Sequence, residues 1–293
     1  MIDLTGRVAI VTGAGGGLGR SHALLLAQRG ASVVVNDLGE GAARVAQEIT
    51  DAGGKALAFP CSVTDFDAVQ RMVAETMSTF GRIDILVNNA GILRDKSFAK
   101  MALSDFRLVL DVHLMGAVHC TKAVWETMRE QKYGRIVMTT SSSGLWGNFG
   151  QSNYAAAKMG LAGFAATLAL EGAKYGIHVN CIAPTAATQM LEGLMPAAQL
   201  ELLRPELVSP AVLALVSEQA PNRTILCAGA GGYEVAQIEL TRGIHIPPHA
   251  QSAEEILERW NEVADRTDAL LPEQGFDQSK WELAKAGYVE TAS

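Results

Sequence analysis

Tyr154 and Lys158, four residues apart, are a pair whose side chains could do chemistry together. On a helix, residues i and i+4 share one face, so the ammonium would sit beside the phenol. A phenol has a pKa near 10, and a neighbouring cation lowers it toward neutrality, giving a group that exchanges a proton at ordinary pH. Ser141 lies thirteen residues earlier, where its hydroxyl can hydrogen-bond a substrate oxygen. Alone, a Tyr and a Lys at this spacing are ordinary surface residues. Their meaning comes from an upstream run, Thr12-Gly13-Ala14-Gly15-Gly16-Gly17-Leu18-Gly19. The spacing of Gly13, Gly17 and Gly19 lets the backbone approach a pyrophosphate, and the helix that follows offers amides and partial positive charge. A tight turn also needs glycine, but the position at the first strand-to-helix junction favours a dinucleotide. Asp37, eighteen residues beyond Gly19, ends the second apolar run. A carboxylate there can accept both ribose hydroxyls and would repel a 2′-phosphate, which favours NAD over NADP; the alternative is a helix N-cap.

The elements that must position these residues alternate in kind. Apolar runs at 7–12 (RVAIVT), 32–36, 56–60, 83–88, 135–140 and 178–182 read as strands buried on both faces. Between them, 18–29, 41–52, 65–80, 104–131 and 154–175 show helical spacing, with Gly30, Gly53, Gly81 and Gly134 expected as left-handed C-caps. The pattern predicts an α/β fold: a Rossmann-type, doubly wound parallel sheet of about seven strands with helices on both faces. Residues 224–228 supply the last strand. From about 241 a polar segment leads to an acidic helix at 253–265 and a loose tail. The expected division is a dinucleotide-binding domain at 1–240 and a C-terminal helical extension at 241–293, covering the substrate or contacting a subunit. The helix at 154–175 is rich in Ala, Gly and Leu around nearly its whole circumference. Packing on its own sheet hides only one stripe, so the rest is expected against another subunit.

Composition narrows the classes. Among 293 residues, 48% are hydrophobic and 19% charged, which excludes a disordered or collagen-like chain. The net charge of −7 argues against a nucleic-acid partner. Ten acidic and four basic side chains fall at 251–293, leaving the first 250 residues nearly neutral. Cys61, Cys120, Cys181 and Cys227 form no CxxC pair and are expected as reduced thiols of a cytoplasmic protein. No apolar run has the length of a membrane span, no leader-like segment opens the chain, and Thr291-Ala292-Ser293 is not a peroxisomal SKL-type ending. The histidines show no metal-ligand spacing, so no metal is expected.

Over roughly residues 5–230 the sequence resembles the short-chain dehydrogenase/reductase family. The residues that carry this are the glycine run at 12–19, Asn88-Asn89-Ala90-Gly91, Ser141, and Tyr154 with Lys158. The resemblance implies Ser141, Tyr154 and Lys158 as catalytic groups, and it selects Ser141 over Ser142 and Ser143. It implies that Gly13, Gly16, Gly17, Leu18, Gly19, Asp37, Ser62, Val63, Asn89, Ala90 and Gly91 hold the NAD cofactor together with Tyr154 and Lys158. Pro184 through Thr188 would hold the nicotinamide carboxamide. One position departs from the family pattern: a fourth catalytic member is usually Asn, and here it is His113. That residue is either a core or capping histidine or a holder of the water that links Lys158 to solvent.

Further stretches resemble one branch of the family, the (3R)-hydroxyacyl-CoA dehydrogenases found as part of multifunctional enzyme type 2, also known as 17β-hydroxysteroid dehydrogenase type 4. They are 35–39 (VNDLG), 88–97 (NNAGILRDKS), 132–135, 147–154 (GNFGQSNY), Glu171, 182–184 and Met190, with His113. The implied reaction is NAD-dependent oxidation of a 3-hydroxyacyl-CoA to the 3-oxo form. Arg94, Lys96 and Lys100 then either pair with CoA phosphates or are solvated surface charges. The apolar stretch at 184–206 suits any bulky ligand, so a dehydrogenase of a steroid alcohol or of a steroid side-chain CoA ester is a second reading. A non-catalytic NAD-binding protein is a third. A homodimer or homotetramer is expected.

Overall fold

The computed structural model describes residues 1–186 and 197–289. The strands are β1 Val8–Thr12, β2 Ser32–Asp37, β3 Lys55–Pro60, β4 Ile85–Asn88, β5 Gly134–Thr139, β6 Ile177–Thr185, β7 Ile225–Gly229 and β8 Gly232–Ala236. They form one sheet in the order β3-β2-β1-β4-β5-β6-β7-β8, in which β1 to β7 run parallel. Every residue of β1, β4 and β5 is buried, as continuous apolar runs require when helices cover both faces. The eighth strand exceeds the expected seven. It returns from β7 through Ala230-Gly231, both at positive φ (50° and 81°), a two-residue hairpin turn, and Tyr233, Glu234 and Val235 that follow are all exposed.

The crossovers are α1 Gly17–Gln28, α2 Gly41–Asp51, α3 Phe66–Phe80, α4 Leu103–Leu110, α5 Gly116–Gln131, α6 Ser142–Trp146, α7 Ser152–Gly172, α8 Ala197–Leu202 and α9 Ser209–Leu215. Two apolar cores result. One packs α1, α2 and α9 on one face of the sheet, and the other packs α3, α5 and α7 on the opposite face. The expected single helix at 104–131 is interrupted by a one-turn π segment, Asp111–Met115. Such segments occur often at functional sites, and this one carries His113. Gly134 is not a helix cap. It opens β5, and the left-handed cap of α5 is Lys132 (φ 54°).

Beneath the sheet's amino ends lies a charged cluster. The buried Asp84 carboxylate accepts from Arg7 Nη1 (3.0 Å), from Arg82 Nη2 (2.6 Å) and from the Val8 amide (2.9 Å). It ties β1 to the chain entering β4 at the end opposite to the motifs.

The chain divides into two compact units, Met1–Val235 and Ala236–Ser293. The second contains α10 Ala253–Glu258, α11 Trp260–Val263 and α12 Phe276–Lys285, with an isolated antiparallel bridge between Leu240 and Leu270. The helix expected at 253–265 is thus broken at Arg259, and the expected loose tail contains α12 instead. Among the described residues, no helix is long and apolar enough to cross a membrane.

Candidate active site

The predicted residues from six strands gather at the carboxyl ends of the sheet, the edge where parallel α/β sheets bind ligands. β1 runs into the glycine loop and α1, whose first turn holds no acidic side chain. Gly13 (φ 62°) must be glycine, because a Cβ there would lie 2.7 Å from Ala90 Cα. Asn89 braces the same loop through Nδ2, which donates to the carbonyls of Thr12 and Gly13 (both 3.1 Å), while Thr12 Oγ1 accepts from the Asn89 and Ala90 amides (3.0 and 3.1 Å). At the end of β2, Asp37 accepts from the Gly15 amide (2.8 Å) and the Leu38 amide (2.7 Å). Asp37 therefore abuts the loop and is not an N-cap for α2, whose N-cap is Glu40. Ser62 and Val63 follow β3, and Pro184 lies within β6. Thr188 falls outside the described residues.

A glycine-lined strand-to-helix turn, an acid-free helix N-terminus and a carboxylate beside them fit a dinucleotide.

Ser141, at the end of β5, caps α6 by accepting from the Ser143 amide (3.2 Å). Tyr154 and Lys158 stand one turn apart on α7, the ammonium 5.4 Å from the centre of the phenol ring. Lys158 is buried and donates to the Thr139 carbonyl at the tip of β5, while Thr140 Oγ1 donates to the Lys158 carbonyl (2.6 Å). Burial lowers the ammonium's pKa to about 7. The expected downward pull of Lys158 on the phenol is not what dominates. Burial raises the Tyr154 pKa; a hydrogen bond with Ser141 opposes the rise and the Asp95 carboxylate adds to it. The physical reason is burial: it outweighs the other influences on the phenol, and the Lys158 ammonium donates its hydrogen bond to the Thr139 carbonyl.

His113 belongs to the same group. Its ring meets Tyr154 edge-on, with centroids 5.1 Å apart and planes at 87°. Nε2 lies 2.7 Å from the Ile92 carbonyl and 3.0 Å from the Ile92 amide, and Nδ1 is buried without a partner. Burial first, then the Lys158 charge, hold its pKa down to about 3, so the imidazole is neutral. Gly91 leaves room for it, since a Cβ at 91 would lie 2.2 Å from His113 Cε1. Sequence reasoning missed two supports: the Thr139 carbonyl, and Asn153, whose buried Nδ2 donates to the Arg94 carbonyl (3.1 Å). A backbone acceptor leaves no mark in a sequence. Asn153, directly before Tyr154, was open to notice.

With the geometry in place, comparison defines the class. A family model described as short chain dehydrogenase matches residues 7–198. The protein belongs to the short-chain dehydrogenase family and is an oxidoreductase. It is 46% identical to a short-chain type dehydrogenase/reductase of Mycobacterium tuberculosis, over 90% of this chain and 96% of that one. Full-length peroxisomal multifunctional enzyme type 2 from Drosophila melanogaster superposes with a TM-score of 0.84 at 39% identity, over 97% of this chain. The chain spans 50% of that enzyme. A 7α-hydroxysteroid dehydrogenase complexed with NADH and 7-oxo glycochenodeoxycholic acid matches with a TM-score of 0.73 at 31% identity, over 78% of this chain and 95% of that one.

Proposed function

We propose that the protein oxidises a secondary alcohol with NAD as cofactor, the substrate being a (3R)-3-hydroxyacyl-CoA and the product its 3-oxo form. The observation that carries this is the convergence of Ser141, Tyr154 and Lys158 beside the glycine loop and Asp37. The likeness to multifunctional enzyme type 2 supports the substrate class. The match to a steroid dehydrogenase holding NADH supports the cofactor and keeps a steroid alcohol as the second reading.

The glycine loop from Gly13 to Gly19 and the N-terminus of α1 would hold the pyrophosphate, and Asp37 the adenosine ribose. Ser62, Val63, Asn89, Ala90 and Gly91 would line the adenosine side, with Pro184 and Thr188 at the carboxamide. When bound, NAD supplies the hydride acceptor. Tyr154 takes the hydroxyl proton of the substrate as its phenolate, a form that the positive charge of a bound nicotinamide would favour against the burial that raises the phenol's pKa. Ser141 orients the oxygen as charge develops, and Lys158 holds the nicotinamide ribose. His113 acts as a positioning residue, keeping the Tyr154 ring and the loop at Ile92 in register.

The assignment is tested by following NAD reduction over (3R)- and (3S)-hydroxyacyl-CoAs and steroid alcohols, repeated with NADP. Tyr154→Phe should lower kcat by about 10²–10⁴-fold, a far larger effect than any on NAD affinity. Near-normal turnover by that variant would overturn the role of the phenol.

The apolar residues that α7 buries are Ala157, Leu161, Ala162, Ala165 and Ala169, while Met159 and Leu170 are exposed, as are Leu103 and Leu108 of the adjoining α4. This apolar face supports a homo-oligomer assembled through α4 and α7.

A further inference from the structure

We propose that two loops flanking the catalytic groups form a seat for the carrier arm of the thioester. In this seat the exposed rings of Trp146, Phe149 and Phe98 take the apolar and amide stretch of the arm, and Lys96 and Lys100 take its phosphates. The proposal rests on the acyl-CoA reading above and names the part of the chain that would distinguish a CoA ester from a shorter thioester.

Trp146 ends the short helix α6 that Ser141 caps, so the indole and the catalytic hydroxyl lie within one five-residue element and its cap. Phe149 follows on the loop leading to Tyr154. Exposure of these rings is unusual: Phe149 89%, Phe98 73% and Trp146 68%. Their backbone is braced. The Lys96 amide donates to the Gly150 carbonyl (2.9 Å), Gln151 Nε2 donates to Asp95 Oδ2 (2.7 Å), and Asn148 Nδ2 donates to Gln151 Oε1 (3.0 Å). Asn153 adds the bond to the Arg94 carbonyl, which fastens the second loop to the start of α7.

Aromatic rings on a braced loop and turned to solvent form a platform whose backbone is already ordered before a ligand settles on it. Charge tells which ligand. Lys96 and Lys100 are exposed and, among the described residues, make no ion pair; the nearby Asp95 is occupied by Gln151. A purely aliphatic chain would use the rings and leave the two cations unmatched. An arm that is apolar near the thioester and anionic at its far end matches both.

The test uses one 3-hydroxyacyl group on two carriers, CoA and N-acetylcysteamine, the latter lacking the phosphates and most of the arm. Trp146→Ser, Phe149→Ser and Lys96→Glu should each lower kcat/KM for the CoA ester by about tenfold, with the short thioester changed less than twofold. The wild-type preference for the CoA ester should also fall as salt rises, and fall less in Lys96→Glu. Equal losses on both carriers would overturn the proposal, by placing the rings at the acyl end or in a subunit contact. No loss on either carrier would overturn it equally. Turnover of neither thioester by the wild type would instead remove the acyl-thioester reading on which the proposal rests.

Discussion

At the scale of the residue, the site is governed by burial. Lys158 carries the clearest consequence for pH. Its folded pKa, about 7, lies below the 10.5 of an exposed lysine, so between those values the unfolded chain binds more protons than the folded one. Stability tied to this group therefore rises with pH above 7, and below 7 the buried ammonium imposes its full penalty. Lys158→Met should stabilise the fold more at pH 6 than at pH 9, by about 2–3 kcal/mol between the two, read from urea unfolding at each pH. An equal gain at both would show that the ammonium is better solvated than its surroundings indicate. His113 gives the complementary case. With a pKa of about 3 it does not titrate in the working range, so His113→Ala should lower kcat by about tenfold and leave the shape of the kcat–pH profile unaltered. Loss of a limb near neutral pH would instead make the imidazole a proton carrier. The pair Tyr154 and Lys158 was readable because helical spacing is fixed by geometry. The sense of the phenol's shift was not, because spacing brings two groups together without saying how deeply the fold buries them.

At the scale of the element, the parallel strands and most crossovers could be read from apolar runs and their breaks. The local surprises have local causes. The π segment at Asp111–Met115 has no sequence signature in a run that is helical on both sides; what it does is turn His113 toward Ile92 and Tyr154. The eighth strand was missed because Gly229, Gly231 and Gly232 read as an ending, whereas Gly229 closes β7, Gly231 lies in the hairpin turn and Gly232 opens β8. The ion cluster at the opposite end of the sheet makes a separable prediction. Asp84→Ala leaves Arg7 and Arg82 without their shared carboxylate and the Val8 amide without its acceptor. It should cost about 3 kcal/mol in urea unfolding while NAD affinity in folded protein stays within twofold, since the cluster and the glycine loop occupy opposite ends of β1.

At the scale of the whole molecule, the chain joins an α/β unit to a smaller acidic one, and the two raise different questions. The first unit was legible because its order follows from strand–helix alternation. The second was not, because its helices are short and broken, and their apolar residues, Trp260, Phe276 and Leu283 among them, remain exposed. Ending the chain after residue 240 should harm solubility or substrate KM more than NAD affinity; a truncated protein of unchanged oligomer size and kinetics would count against any role for that unit in catalysis or assembly. Finally, the interlock of Gly91 with His113 has a bearing on redesign. Any side chain at 91 would collide with the imidazole, so enlarging that wall can succeed only after position 113 has been made smaller. The two changes must come in that order, and a library that varies them one at a time will score position 91 as immutable.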